Sequence, residues 1–190
     1  MKSNKQKIQD KMEIIFKELK FVLNKINDIE VNSLTKSILA AKTIVVVGAG
    51  RVGLASTAFA MRLAHLGLNA FMLGDSNVSA ISKGDLLLVS SGSGETQTIY
   101  DLVCIAKIHG ARVALVTGNP LSRMGLLADV IVNLKSPSKI NNTNDFKSRQ
   151  PMTTLNEQCL WLFFDAVVLE LMEKMKIKDE DMKKRHSILE

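Results

Sequence analysis

Asp85-Leu86-Leu87-Leu88-Val89-Ser90-Ser91-Gly92-Ser93-Gly94-Glu95-Thr96 is the stretch whose reading decides the fold of this chain. Its first half is a short, unbroken apolar run, which reads as a strand buried on both faces over residues 85–90. Its second half is small and hydroxylic, and a helical pattern over about 95–109 follows it. Glycines and hydroxyls at the junction of a buried strand and a helix suit an anion. The glycines let backbone N–H groups approach it, the hydroxyls donate to it, and the helix N-terminus adds positive potential. A plain turn with Ser93 as helix N-cap would need one hydroxyl, whereas this loop offers four, on Ser90, Ser91, Ser93 and Thr96.

The same alternation continues on both sides. Thr43-Ile44-Val45-Val46-Val47 is a β-branched run ending in glycine and predicts a first strand, followed by a helix over 51–66 and a strand over 70–73. Beyond the central stretch come a strand over 112–117, a short helix near 121–127 and a strand over 129–133. Short apolar strands alternating with helices predict a parallel sheet with helices on both faces. The expected class is α/β, with five parallel strands in the flavodoxin-like order 2-1-3-4-5. Residues 1–40 read as a helical extension, with apolar stripes Ile8, Met12, Ile15, Leu19, Val22, Leu23 and then Val31, Leu34, Ile38, Leu39. The α/β core is placed at 41–134 and a polar loop at 135–150, a length typical of a lid or binding element. C-terminal helices fill 151–190 and complete a single domain over 1–190.

The helix over about 153–175 is apolar around nearly its whole circumference, from Leu160 and Trp161 to Leu171 and Met172. Such a helix is buried on all sides. Part of that burial is assigned to another subunit, so a homo-oligomer is expected; the alternative is a central helix of one monomer.

Composition excludes several classes. Of the 190 residues 46% are hydrophobic, enough for one core, and aromatics are only 5%, so aliphatic packing must carry it. No apolar run is long enough to cross a membrane, and the charged N-terminus has no signal-peptide core, so a cytoplasmic location is expected. Cys104 and Cys159 lack metal-ligand spacing, and two cysteines make no disulfide framework. The net charge of +6 is spread along the chain rather than gathered in a stripe, and no nucleic-acid-binding motif is present, so no nucleic-acid partner is expected.

A second glycine loop, Gly48-Ala49-Gly50-Arg51-Val52-Gly53, follows the first strand. It matches the dinucleotide fingerprint, and Asp75 stands near the end of the second strand as that reading would want. In a 2-1-3-4-5 sheet, however, strands one and three are neighbours, and their carboxyl ends flank the topological switch point. Both loops then converge on one crevice, a geometry that suits a small sugar phosphate better than an extended dinucleotide. The first loop, with Arg51, can cover the same anion or its sugar.

At this point the chain resembles the sugar isomerase (SIS) domain family, whose phosphate-binding signature matches Ser91-Gly92-Ser93-Gly94-Glu95-Thr96. More narrowly, it resembles the 6-phospho-3-hexuloisomerase family. The matching residues are Gly48–Arg51, Ala60–Gly67, Leu86–Gly94, Glu157-Gln158 and the tail Arg185–Glu190. The resemblance implies reversible isomerisation of D-arabino-3-hexulose 6-phosphate to fructose 6-phosphate in the ribulose monophosphate pathway, a tetramer, and no cofactor or metal. It places the phosphosugar against Gly48, Gly50, Arg51, Ser91, Gly92, Ser93, Gly94, Glu95 and Thr96. Three places depart from the family's usual pattern: Val52 stands where serine is usual, Gly74–Ser79 where a threonine run is usual, and Asn156 where an aromatic residue is common.

Moving a carbonyl from C3 to C2 requires a base for the C2 proton and its return to C3, best supplied by a carboxylate held out of bulk water. Glu157, near the start of an apolar helix after Thr153-Thr154, is the candidate that the resemblance supports. His186 is the second candidate, as a proton shuttle between O2 and O3; if the tail is ordered, it is expected to pack into a neighbouring subunit's site. His65 and His109, each near a helix C-terminus, read as structural. Rival readings are a non-catalytic sugar-phosphate sensor, an isomerase for another phosphosugar such as arabinose 5-phosphate, and a dinucleotide-binding protein.

Overall fold

A computed structural model describes residues 4–136 and 147–188. Two helices, α1 (Asn4–Leu23) and α2 (Asp28–Ala40), precede the sheet. The core then runs β1 (Ile44–Gly48), α3 (Gly50–His65), β2 (Ala70–Met72), β3 (Leu86–Ser90), α4 (Gln97–Ile108), β4 (Arg112–Thr117), α5 (Arg123–Leu127) and β5 (Val130–Asn133). The long α6 (Thr154–Met175) and the short α7 (Asp179–Lys183) close the described chain. The five strands are all parallel in the order β2-β1-β3-β4-β5, as the alternating pattern requires. Each sequence-derived strand is recovered to within a residue or so at its ends.

The sheet divides two cores by strand alternation. Leu86 and Leu88 of β3, with Ala114 and Val116 of β4, face α2, α3 and α6. Leu87 and Val89, with Val113 and Leu115, face α4 and α5. Phe59 of α3 and Phe164 of α6 stack with ring centroids 4.0 Å apart and planes within 3°. Stacked rings of this kind add about 1 kcal/mol beyond their burial and tie the two helices together.

The helical extension packs unevenly. Leu34 and Ile38 of α2 are fully buried. On α1, Val22 is buried against Leu155 and Cys159, whereas Ile8, Met12 and Phe16 are exposed. The apolar stripe of α1 is therefore covered by this chain at its C-terminal end alone. The apolar girth of α6 resolves the same way. Leu160, Phe163, Phe164, Val167 and Leu171 are buried, while Trp161, Leu162 and Leu169 form an exposed stripe.

The polar segment after β5 is tied down at both of its described ends. Ser136 donates to Asn156 Oδ1 at 2.6 Å. On the return, Glu18 of α1 accepts from the Ser148 hydroxyl and the Arg149 N–H, both at 2.7 Å, and from Gln150 Nε2 at 2.9 Å. Burial pushes the Glu18 carboxyl up, but these donors outweigh it and hold it below its ordinary value. A lid role for the loop 135–150 rests on residues 137–146, which lie outside the described residues. No described helix is long and apolar enough to cross a membrane.

Candidate active site

The carboxyl ends of β1 and β3 are hydrogen-bonded neighbours, with Gly48 opposite Ser90, so the loops after them open into one cavity of about 550 Å³. Ala49 to Val52 form one wall, Ser90 to Ser93 with Thr96 the floor, and Pro151 to Thr154 with Asn156 and Glu157 the facing wall. Three helices, α3, α4 and α6, start here, and none of them has a side-chain N-cap hydrogen bond. No side chain of these caps competes for their first-turn N–H groups, although Thr154 N–H and Ile99 N–H donate to the Pro151 and Thr96 carbonyls. By contrast α2 and α5, which start elsewhere, are capped by Asn27 and Ser122.

The loop after β3 turns its carbonyls away from the cavity. Gly92 O accepts from Gly118 N (3.1 Å), Ser93 O from Asn119 Nδ2 (3.2 Å), Gly94 O from Met124 N (3.3 Å) and Glu95 O from Arg123 Nη2 (2.9 Å). The N–H groups of Gly92, Ser93 and Thr96 donate to nothing among the described residues. Ser91 Oγ accepts from Gly94 N (3.1 Å) and Ser93 Oγ from Glu95 N (3.2 Å), so each hydroxyl is oriented by accepting while its proton stays uncommitted. The Thr96 hydroxyl caps nothing. Three N–H and three O–H donors thus face one space, an arrangement built for an anion with several oxygens.

Gly94 and Glu95 lie behind this cradle rather than in the cavity wall. Gly94 has φ +65°, and a side chain there would collide with Ser122 Oγ. Glu95 is clamped from outside: Oε1 accepts from Arg123 N (2.9 Å) and Oε2 from Arg123 Nε (2.7 Å). That backbone N–H, and then the guanidinium, hold the Glu95 carboxyl below its ordinary value. Its charge is spent on Arg123, outside the cavity wall. Gly48 also sits behind the wall: a Cβ there would stand 2.7 Å from Ser56 Oγ and 3.2 Å from Gly53 N, so its role is the close packing of α3 on β1. Gly50, at φ +59°, makes the turn into α3 and lines the cavity. Asp75 accepts from Met72 N at 3.0 Å within its own turn and lies outside the cavity wall, so it provides no ribose contact there.

Arg51 and Glu157 meet on the two walls. Arg51 Nη1 lies 2.9 Å from Glu157 Oε2, as an ion pair without hydrogen-bond alignment, and donates to Thr154 Oγ1 at 3.3 Å. Glu157 Oε1 accepts from the Thr153 hydroxyl at 2.9 Å. The carboxylate is largely buried, with 13% of the side chain exposed, whereas Arg51 is 60% exposed. A shielded carboxylate faces the anion cradle across a space that fits a small phosphorylated molecule.

His186 is elsewhere in the chain. With Arg62, His65, Met172 and Lys183 it lines a second cavity of about 260 Å³, its ring 5.2 Å from that of His65. The buried His65 thus sits in this second cavity as well as near the end of α3. Ser90, counted among the loop's four hydroxyls, was not placed among the substrate contacts, and neither were Asn156 and the Pro151–Thr154 wall. Ser90 read as strand, and Asn156 as a departure from a pattern, because their common position depends on α6 returning over β3. Among the described residues no cluster of His, Cys, Asp and Glu could hold a metal ion. Burial pushes the Cys159 thiol up to about 12, which leaves it inert as a nucleophile or ligand.

Residues 37–161 match the SIS domain profile, and the chain belongs to the SIS domain family. It is 42% identical over 166 residues to a 3-hexulose-6-phosphate isomerase of Bacillus subtilis, a match covering 87% of this chain and 89% of that protein. It is 36% identical to a 3-hexulose-6-phosphate isomerase of Mycobacterium gastri, covering 96% and 92%. A Methanococcus jannaschii protein, whose crystal structure was taken to infer a 3-hexulose-6-phosphate isomerase, superposes with a TM-score of 0.83 at 27% identity, covering 95% of this chain and 99% of that one.

Proposed function

We propose that this protein is a 3-hexulose-6-phosphate isomerase, interconverting D-arabino-3-hexulose 6-phosphate and fructose 6-phosphate through an enediol. One observation carries the reading: six uncommitted donors on one side of a cavity face a shielded carboxylate, Glu157, on the other. The two relatives at 42% and 36% identity supply the substrate.

The phosphate docks on Gly92, Ser93 and Thr96 N–H and on the Ser91, Ser93 and Thr96 hydroxyls. This lays the carbon chain toward α6. Glu157 removes the C2 proton of the 3-ketose, and the C2–H electron pair forms the C2=C3 bond as the C3 carbonyl oxygen becomes an enediolate. Arg51, beside Glu157, stabilises that charge. A proton moves from O2 to O3, and the Glu157 carboxyl returns its proton to C3 as the carbonyl forms at C2. Only protons and electron pairs move within the substrate, so the scheme calls for no cofactor or metal.

The proton shuttle between the oxygens is assigned to His186 of a neighbouring subunit in a tetramer. Two observations support the assembly: the exposed stripes Ile8, Met12, Phe16 and Trp161, Leu162, Leu169, and the distance in role between the two cavities of one chain. The unit is one SIS domain over residues 1–190, working in the cytoplasm. An assay coupled to a formaldehyde-fixing synthase, following fructose 6-phosphate formation, tests the reading. Turnover is expected, and binding without turnover would leave a sugar-phosphate sensor.

A further inference from the structure

We propose that Asn156 is a substrate-binding residue that reads the sugar rather than its phosphate, held in place for that task by Ser136. The inference rests on the phosphosugar reading of the cavity given above.

Asn156 is 2% exposed and yet lines the cavity. A carboxamide has one acceptor end and one donor end. The acceptor end is committed: Oδ1 takes the hydroxyl proton of Ser136, itself 2% exposed, at 2.6 Å. With Oδ1 turned to Ser136, the other end of the amide is turned away from it. Nδ2 then faces the loop after β3, 2.9 Å from the point where a side chain on Gly92 would begin. That nitrogen donates to nothing among the described residues. A nearly buried N–H pair without an acceptor is costly, and native proteins retain one where a ligand or ordered water completes it.

A second polar group on the same side repeats the pattern. Ser90 shares a face of β3 with Leu86 and Leu88, the face that packs toward α6. Its hydroxyl is fully buried, lines the cavity and has no partner. The uncommitted groups therefore fall into two sets. Six donors on the α4 side form the anion cradle, enough to saturate three phosphate oxygens. Asn156 and Ser90 stand on the α6 side, where Asn156 directly precedes Glu157. An acceptor reached from there belongs to the carbon chain between the phosphate and the carbons that react. The chemical class is a hydroxyl or carbonyl oxygen of an open-chain ketose phosphate.

The test is Asn156→Leu, close in size but without polar atoms. Calorimetric titration with fructose 6-phosphate is compared with competition by inorganic phosphate. Affinity for fructose 6-phosphate is expected to fall about tenfold, as for one lost hydrogen bond plus a stranded acceptor, while that for inorganic phosphate holds. Unchanged affinity for the sugar phosphate overturns the proposal. So does an equal loss for both ligands, which would make Asn156 a prop for the Gly92 loop. Should Asn156→Leu fail to fold, Ser136→Ala leaves Asn156 in place but free to turn. It is expected to weaken fructose 6-phosphate alone, about threefold, and no selective loss overturns the inference. Wild-type protein that binds no fructose 6-phosphate sinks the functional reading first, and this inference with it.

Discussion

Arg51 and Glu157 face each other across the cavity with Nη1 2.9 Å from Oε2, joining the first turn of α3 to the first turn of α6. The two helices that carry them are locked by the Phe59–Phe164 stack, so the pair is set by the core and not by a mobile loop. The guanidinium stands where enediolate charge would develop. Glu157→Gln keeps the size and the Thr153 contact but removes the base. Its kcat is expected to fall at least about a hundredfold. Fructose 6-phosphate affinity, carried by the loop over 91–96, should stay within about threefold of wild type by calorimetry. Retained turnover would move the base to another residue.

Gly94 turns the phosphate loop at φ +65°, and a Cβ there would run into Ser122 Oγ. Ser122 cannot retreat freely, because it caps α5 through Gly125 N. Gly94→Ala therefore meets both backbone strain and overlap, with an expected cost of about 2–4 kcal/mol. Chemical denaturation should show that loss, and thermal stabilisation by fructose 6-phosphate should disappear. A variant that is as stable as wild type and still stabilised by ligand would show that the turn is not what aims the N–H groups.

Four carboxylates, Glu18, Glu95, Asp129 and Asp181, are held below their ordinary values, and the first three join separate parts of the fold and set the acid limb of stability. For Asp129 burial pushes the carboxyl up, but Lys107 at 2.8 Å and the Val113 N–H at 2.8 Å outweigh it. Glu95 is lowered by the Arg123 backbone N–H and guanidinium, and Glu18 by its three donors despite burial. A carboxyl lowered on folding stabilises the fold fully above its unfolded value, and the benefit is lost as pH falls through the folded value. The window therefore opens near the ordinary values of 4.5 for Glu95 and Glu18 and 3.8 for Asp129, and extends below them. Melting temperature is expected to be flat from pH 8 to about 5 and to fall below that. Asp129→Asn should flatten the fall, and an unchanged slope would remove Asp129 from the account.

The division between what could and could not be read from the residues follows the range of each interaction. Strand positions and the small, hydroxylic make-up of the loop after β3 were legible because both are local. β-branched runs such as 43–47 have one stable use, and the glycine-hydroxyl pattern after Val89 one good ligand class. Glu95 was misjudged for a physical reason. Sequence places it inside the loop, but its side chain is turned outward by Arg123, 28 positions away. Gly48 was read as a ligand glycine, whereas its bare face, with that of Gly53, serves the contact of α3 with β1. Asn156 was visible only as an odd residue before Glu157. Its meaning needs Ser136, 20 positions away, and Gly92, brought to it by the sheet. Side-chain aim depends on tertiary neighbours, and periodicity carries no record of them.

The separation of Glu157 and His186 into two cavities of one chain makes the assembly testable through chemistry. If His186 serves a neighbour, a chain carrying Glu157→Gln still lends its histidine, and a chain carrying His186→Ala still lends its carboxylate. Each variant alone forms no site with both groups. Mixed after reversible dissociation and reassembled at random, about a quarter of the sites pair a sound Glu157 with a sound His186, because two independent halves must both be right. Recovery to about a quarter of wild-type activity is therefore expected, and it should rise with total protein concentration as the subunits associate. If His186 instead acts within its own chain, no mixture contains a complete site and activity stays at the level of the separate variants. If His186→Ala alone keeps full activity, the tail is packing and the shuttle lies elsewhere. The exposed faces of α1 and α6 supply the independent check. Trp161→Glu places a charge on the stripe formed with Leu162 and Leu169, which should shift the protein to a smaller species by sedimentation and lower turnover with it.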